Sequence, residues 1–374
     1  MSCHYAKRML LPAVFVAACA ITLGTFFLPQ RTLLTRSVRR TKAAPDLILR
    51  WRTPMAAVAN RPCAFSGGWI VSDRKGGVTA LSTTGKVLWQ NAFSNQLFDA
   101  GAVVVSNLAI VASQDGQVFA LRVDGGATAW TYVTPYRFQQ VPLIGNIGAE
   151  PVLWLVSQAD GQLICLRCRD GLLIWQGDAT NRCDGEPTVW QGRVAYGNCD
   201  GAVYVFDVAN GHLKGSVSVG DEDQMAGGVL AMADGRLVVG TRRGNLAVVH
   251  AEQLTLDAVI SVSQGEMFVT PVQISNDVFA AGTPEGDVVF CRIGHGTLKV
   301  IGRVALGAAV DQLVTSRGVL YALSGGSVCM LADAESPVVR VSLGDDVRGL
   351  SVGENGILTC VADQAVVCIA GGTQ

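Results

Sequence analysis

The sequence predicts an all-β fold, an eight-bladed β-propeller preceded by one N-terminal transmembrane helix, and three observations carry that prediction. Glycine is abundant, 43 of 374 residues, while charged residues are only 16% and apolar residues 49%, so short strands joined by tight turns are favoured over a disordered or collagen-like chain. A pattern of two apolar stretches around a glycine-containing turn recurs every 38 to 45 residues. Within each recurrence the same positions carry the same class of side chain, and none has the 3.6-residue period of a helix.

The N-terminal elements come first. Residues 1–8 form a basic tip with Lys7 and Arg8. Met9 to Leu28 is a run of 20 residues without a charged side chain. As a helix it would span ~30 Å, the thickness of a bilayer's hydrocarbon core. An uncleaved signal anchor is the favoured reading. A lipoprotein signal modified on Cys19 (Val16-Ala17-Ala18-Cys19) and ordinary cleavage stay open. Residues 29–46 form a basic tether, either a solvated linker or a contact with anionic headgroups.

The propeller is placed over residues 47–374. Its turn positions are Gly76, Gly116, Gly161, Gly201, Gly244, Gly286, Gly326 and Gln364. Two residues after them stand Val78, Val118, Leu163, Val203, Leu246, Val288, Val328 and Val366, all apolar. Five residues after them stand Leu81, Leu121, Leu166, Phe206, Val249, Cys291, Leu331 and Ile369, again apolar. Four residues before them every side chain is small: Ser72, Ala112, Ser157, Gly197, Gly240, Gly282, Ala322 and Cys360. An invariantly apolar position is a core face, and an invariantly small one marks a place where backbones crowd. The last unit ends at Gly371-Gly372 without a following strand, whereas residues 47–53 (LILRWRT) are an apolar strand without a partner. The expectation is that this strand completes the last blade near Val366–Ala370 and closes the ring, removing its open edge.

Units one to three read GGVTALSTTGKVLW, DGQVFALRVDGGATAW and DGQLICLRCRDGLLIW, each closed by a tryptophan: Trp89, Trp130 and Trp175. These segments resemble the PQQ-type repeat propeller family, over roughly residues 47–371, and Trp51 stands at the spacing of the tryptophan missing from the last unit. The whole chain is similar to membrane-tethered lipoproteins of outer-membrane assembly built on that repeat. The resemblance implies a non-enzymatic, single-propeller protein of the bacterial envelope. The three tryptophans are expected to pack between neighbouring blades.

Other features are weighed against that frame. Up to Pro54 there are nine Lys/Arg and one acid, which leaves 20 of the 29 bases against 29 of the 30 acids for the rest. An acidic body excludes nucleic acid as a partner. Five bases from Arg31 to Lys42 would place the propeller in the cytoplasm by the positive-inside rule; the family resemblance favours the periplasm, and a single-pass inner-membrane protein with a periplasmic propeller is the expectation. The quinoprotein dehydrogenases of the family imply a calcium-bound quinone, an Asp base and an adjacent-cysteine disulfide; this chain has no Cys-Cys pair. His212 and His295 lie in turns and His4 before the apolar segment, and neither they nor His250 belong to a catalytic motif. Cys165, Cys291, Cys360 and Cys368 occupy core positions of the repeat, while Cys63, Cys168, Cys183 and Cys199 have no place in it. A zinc set from Cys165, Cys168, Cys183 and Cys199 and a disulfide between Cys183 and Cys199 remain open. Asp221-Glu222-Asp223 and Asp345-Asp346 are read as solvated face loops, with partner binding as the functional alternative. No catalytic, cofactor-binding or metal-binding residue is assigned, and no cofactor is expected. The predicted function is a membrane-tethered scaffold, a monomeric propeller that binds other envelope or membrane proteins. A quinoprotein-like dehydrogenase and a ligand-sensing ectodomain of a membrane complex are the alternatives.

Overall fold

The computed structural model describes residues 47–371 apart from 58–59, 221–222, 333, 336, 345–346, 354–357 and 363. The tip at 1–8, the apolar segment at 9–28 and the tether at 29–46 lie outside the described residues, as do Asp221, Glu222, Asp345 and Asp346. No helix among the described residues is long and apolar enough to cross a membrane.

Among the described residues the strands form four-stranded antiparallel sheets, eight in all. Seven are built from consecutive strands within 63–92, 103–133, 143–176, 188–218, 230–261, 272–305 and 310–342, numbered here as blades one to seven. The eighth combines Val347–Val352, Leu358–Ala362 and Ala365–Gly371 with the first strand of the chain, Leu47–Pro54. The first strands of adjacent blades approach one another around a central axis; Cys63–Phe65 lies between Val103–Val105 and Val347–Val352, which closes the circle. This is an all-β propeller.

The closure is a strand pairing. Leu47 stands opposite Gly371, Trp51 opposite Cys368 and Thr53 opposite Val366. The Met55 N–H extends the ladder to the Gln364 carbonyl at 2.7 Å.

The second and third strands of a blade are covered on both faces by the neighbouring blades. They therefore read as unbroken apolar runs: Gly68–Ser72, Leu108–Ala112 and Val278–Gly282 are buried throughout. All eight side chains two residues after the turn are fully buried, and those five after it are buried as well. The fourth strand has a bare edge and one wet face, so Val87–Ala92 and Thr128–Val133 alternate half-buried and exposed residues.

The Asp-Gly turns of blades two and four hold three residues and that of blade three holds four. In blade two, Ser113 precedes the loop, its hydroxyl accepts from the Asp115 and Gln117 N–H groups at 3.2 and 3.1 Å, and Gly116 closes the loop at φ +80°. A side chain there would run into the Thr134 carbonyl, so glycine is required on both steric and conformational grounds. The last two blades depart from the aligned pattern. Ser324 pairs with Ser327 and Ala362 with Ala365, so these hairpins are one residue shorter, and Val328 faces Leu323 instead of the small residue Ala322.

Candidate interaction surface

Each tryptophan of the repeat ties one blade to the next. The Trp89 indole Nε1 donates to the Val123 carbonyl at 2.7 Å, Trp130 to Cys168 at 2.8 Å and Trp175 to Val208 at 2.9 Å, each acceptor lying in the following blade's outer turn. Trp51 does the same from the closing strand, donating to Thr83 of blade one at 2.8 Å. The indoles lie flat on the positive-φ glycine of that turn; a Cβ on Gly126 would be 2.6 Å from the Trp89 ring. Trp175 is buried, while Trp51, Trp89 and Trp130 are half-buried. These side chains are blade-to-blade core.

A second recurring feature escaped the sequence reading. The connection from one blade to the next buries one side chain beside the small-residue position: Phe98, Phe138, Cys183, Met225, Met267 and Val310. Its own N–H is anchored to the carbonyl after that position, as in Cys183 to Gln158 at 3.0 Å, Met225 to Asn198 at 3.2 Å and Met267 to Thr241 at 3.0 Å. This explains the small residues: a Cβ on Gly240 would lie 2.6 Å from the Met267 Cβ.

Ala226, after Met225, is itself buried, whereas the residue after each of the other five (Asp99, Gln139, Asp184, Phe268 and Asp311) lines the mouth of the central channel. There the ring opens into a cavity of about 590 Å³ walled by loop and first-strand side chains from several blades. Asp99 is held by Arg74 at 2.6 Å and by Gln114. Asp184 accepts from Gln158 at 3.0 Å and pairs with Arg182 at 3.0 Å and Arg242 at 3.2 Å. Burial pushes the Asp184 carboxyl up, but the hydrogen bonds from Arg182 and Gln158 outweigh it and hold it below the ordinary value. Arg61 meets Glu186 at 3.4 Å, joining the approach to blade one to that of blade four. Phe268 stands at the same mouth, 56% exposed, with the Arg242 guanidinium 5.5 Å from its ring centre. An outer rim adds a second surface, where fourth strands expose Val87, Leu88, Leu173, Ile174 and Val300.

The cysteines divide differently from their sequence pattern. Cys165, Cys291 and Cys368 are buried core residues, and the side chain of Cys360 lies outside the described residues. Cys168 and Cys183 are buried too. Cys183 is the buried residue of its blade connection and Cys168 supplies the carbonyl that Trp130 binds. Burial pushes the thiols of Cys165, Cys168, Cys183 and Cys291 up to about 12. The considered disulfide is not made: Cys183 and Cys199 are free, the first turned to the Gly185 and Gly197 carbonyls and the second to Asp184 at 3.5 Å. Nor does the four-cysteine zinc set assemble; among the described residues no group of three or more His, Cys, Asp or Glu is placed to hold a metal. His212 and His295 are exposed turn residues, and His250 ends the strand Asn245–His250. Asp223 is not solvated as expected. It is buried and accepts from the Gln224 and Arg243 N–H groups and the Asn245 side chain, so it organises a loop from within.

Fold and repeat together define a PQQ-type repeat β-propeller whose open features are a loop-walled channel mouth and an apolar rim. The family described as outer membrane protein assembly factor BamB matches residues 48–152 and 147–339, and the chain belongs to that family. A BamB of Burkholderia pseudomallei is 31% identical over 132 residues, 34% of this chain and 33% of the relative. That of Escherichia coli is 25% identical over 156 residues, 40% of this chain and 37% of the relative. The aligned segment thus spans about a third of the length of these curated relatives. Among solved structures, BamB from Moraxella catarrhalis superposes with a TM-score of 0.71 at 19% identity, covering 88% of this chain and 98% of that one. Sqt1 of Saccharomyces cerevisiae gives 0.74 at 11% identity, covering 88% and 100%. At such identities the superpositions speak to the fold alone.

Proposed function

We propose that this chain is a non-enzymatic docking scaffold of the bacterial envelope that takes part in outer-membrane protein assembly. It holds its partners at the loop mouth of the ring. One observation carries the reading: the mouth gathers charged and aromatic side chains from loops of several blades onto a rigid frame. Such a surface recognises another protein by shape and charge, and Asp99, Asp184 and Glu186 are held there in ion pairs instead of being poised for proton transfer. The family description supports the assembly role. A propeller facing the periplasm, tethered through residues 9–28 or through a lipid on Cys19, is the arrangement in which such a scaffold would reach outer-membrane proteins in transit. The propeller is taken as monomeric, with other envelope proteins as its partners.

The test is crosslinking in intact cells followed by purification of the full chain, beside measurement of outer-membrane protein levels in a deletion strain. Crosslinks from mouth residues to outer-membrane assembly proteins, with reduced outer-membrane protein levels, are expected. Unchanged levels together with crosslinks only to unrelated proteins would overturn the reading. A reporter fused after Gln374 checks sidedness: alkaline phosphatase activity is expected, and fluorescence from a cytoplasm-only protein contradicts it.

A further inference from the structure

Asp99, Asp184 and Asp311 occupy equivalent places. Each follows the residue buried by a blade connection, namely Phe98, Cys183 and Val310. At the first two, the hairpin turns on either side supply donors. Asp99 receives Arg74 from the preceding blade and Gln114 from its own. Asp184 receives Gln158 from the preceding blade and Cys199 from its own, with Arg242 joining from one blade further on. At the third place the corresponding turn residues are Pro284 and Gly325, and neither has a side-chain donor to offer. Asp311 is exposed and makes no hydrogen bond or ion pair among the described residues; partial desolvation by the cavity walls raises its carboxyl above the ordinary value.

The surroundings are shaped as well as unpaired. Asp311 borders a side cavity of about 200 Å³ at the channel mouth, with apolar walls from Phe268, Val269, Pro284 and Val310. Glu266, the other acid of the cavity, is already neutralised by Arg242 at 3.0 Å. Arg242 in turn lies over Phe268, and among the described residues lining this cavity there is no lysine or arginine.

We propose that this cavity receives an arginine or lysine side chain from a loop of the protein partner, its stem lying along Phe268 and Pro284 and its charged head pairing with Asp311. Those two residue types join an apolar stem to a cationic tip, which matches apolar walls around one carboxylate. An anionic group would meet like charge, and a purely apolar one would bury the carboxylate unpaired. The guanidinium supplies the charge-assisted hydrogen bonds that the turns supply at Asp99 and Asp184. The proposal rests on the docking-scaffold reading and names the chemistry of one contact within it.

The experiment uses the purified full chain in detergent and two small probes, N-acetyl-arginine amide and N-acetyl-norleucine amide, followed by ligand-observed NMR. The arginine amide should bind about tenfold more tightly than the norleucine amide, the scale of one charge-assisted hydrogen bond. Asp311→Asn should erase that preference and Asp311→Glu should keep it. Pro284→Arg installs the cation that the first and fifth blades carry at this place, and should block the probe; it gives an independent reading should Asp311→Asn melt early. Equal binding of the two amides, or an arginine preference that survives both Asp311→Asn and Pro284→Arg, overturns the proposal. The crosslinking test above is separate. Probe binding without crosslinks to assembly proteins would sink the scaffold reading alone, and crosslinks without an arginine preference would sink the cavity assignment alone.

Discussion

Leu254 fills from the fifth blade the space that Gly215 leaves open on the fourth. Gly215 stands opposite Val205, the register position at which Trp89, Trp130 and Trp175 face Ala80, Ala120 and Cys165. A Cβ on Gly215 would lie 2.5 Å from the Leu254 Cδ1. Leu254 itself takes the left-handed conformation, φ +54°, that Gly126, Gly171 and Gly211 take in the earlier turns. The large residue and the small one have traded sides of the same interface.

That exchange predicts a coupled pair. Gly215→Trp alone should overpack the interface, at about 1–3 kcal/mol, and add backbone strain at φ +157°. Leu254→Gly alone relieves a strained backbone but opens a void, and should also destabilise. The double variant rebuilds the tryptophan–glycine contact of the first three blades and should be more stable than the sum of the two effects implies, by about 0.5–3 kcal/mol. Denaturant unfolding of the four proteins measures it, and strict additivity would show that the two residues do not share one space.

Two buried indoles predict opposite responses to the same change. Trp175 Nε1 donates to the Val208 carbonyl at 2.9 Å, whereas Trp154, fully buried, has no partner for its Nε1 among the described residues. Trp175→Phe should cost the hydrogen bond, about 1 kcal/mol, beyond the lost volume. Trp154→Phe removes an unsatisfied donor and should cost less. Trp175→Ala should lose about 3–5 kcal/mol. Thermal melts of the three variants rank them, and a costlier Trp154→Phe than Trp175→Phe would contradict the geometry.

The repeat was legible because its constraints are local. Turn glycines, the apolar residues two and five places beyond them, and the small residues before them all sit within one hairpin, and each answers to a steric demand at a fixed distance. Trp51 was legible for the same reason, as a tryptophan standing at the right spacing with no hairpin around it. The mouth was not legible. Asp99, Asp184, Arg242, Phe268 and Asp311 belong to different blades about 40 residues apart, and only the closed ring brings them to one opening. Asp223 looked like a solvated acid because sequence does not reveal that backbone N–H groups surround it. The Gly215–Leu254 exchange was hidden because a leucine at positive φ looks like any other leucine.

Pairing of Leu47–Pro54 with Ala365–Gly371 makes the ring depend on its first strand. Deleting residues 47–53 removes six of the seven paired residues of the ladder, bares the edge of Ala365–Gly371 and takes Trp51 away from blade one. The shortened chain should melt well below the full one and aggregate through the bared edge. Trp51→Ala keeps the ladder and should fall between them. Calorimetry with light scattering reads both effects; a deletion that melts like the full chain would mean that the strand does not close the ring.

Glu285 predicts an acid-sensitive loop. Its carboxylate accepts from the Ser263 hydroxyl at 2.8 Å and from the Gln264 and Gly265 N–H groups at 3.0 and 3.1 Å, tying the end of blade five to the hairpin turn of blade six. Partial burial raises its carboxyl, but these hydrogen bonds prevail and bring it down to about 2 from the ordinary 4.5. A carboxyl depressed in the folded state contributes stability that is fully present above its unfolded value and is lost as pH falls through its folded one. The loss should therefore run from about pH 4.5 to about pH 2. Glu285 is exposed, so solvent screening keeps the effect modest. Glu285→Gln should be less stable than the parent at pH 7, and the gap should close as pH falls to about 2. Urea unfolding at intervals between those limits tests the sign; a gap that stays constant or widens in acid would show that the ionised carboxylate does not hold this loop.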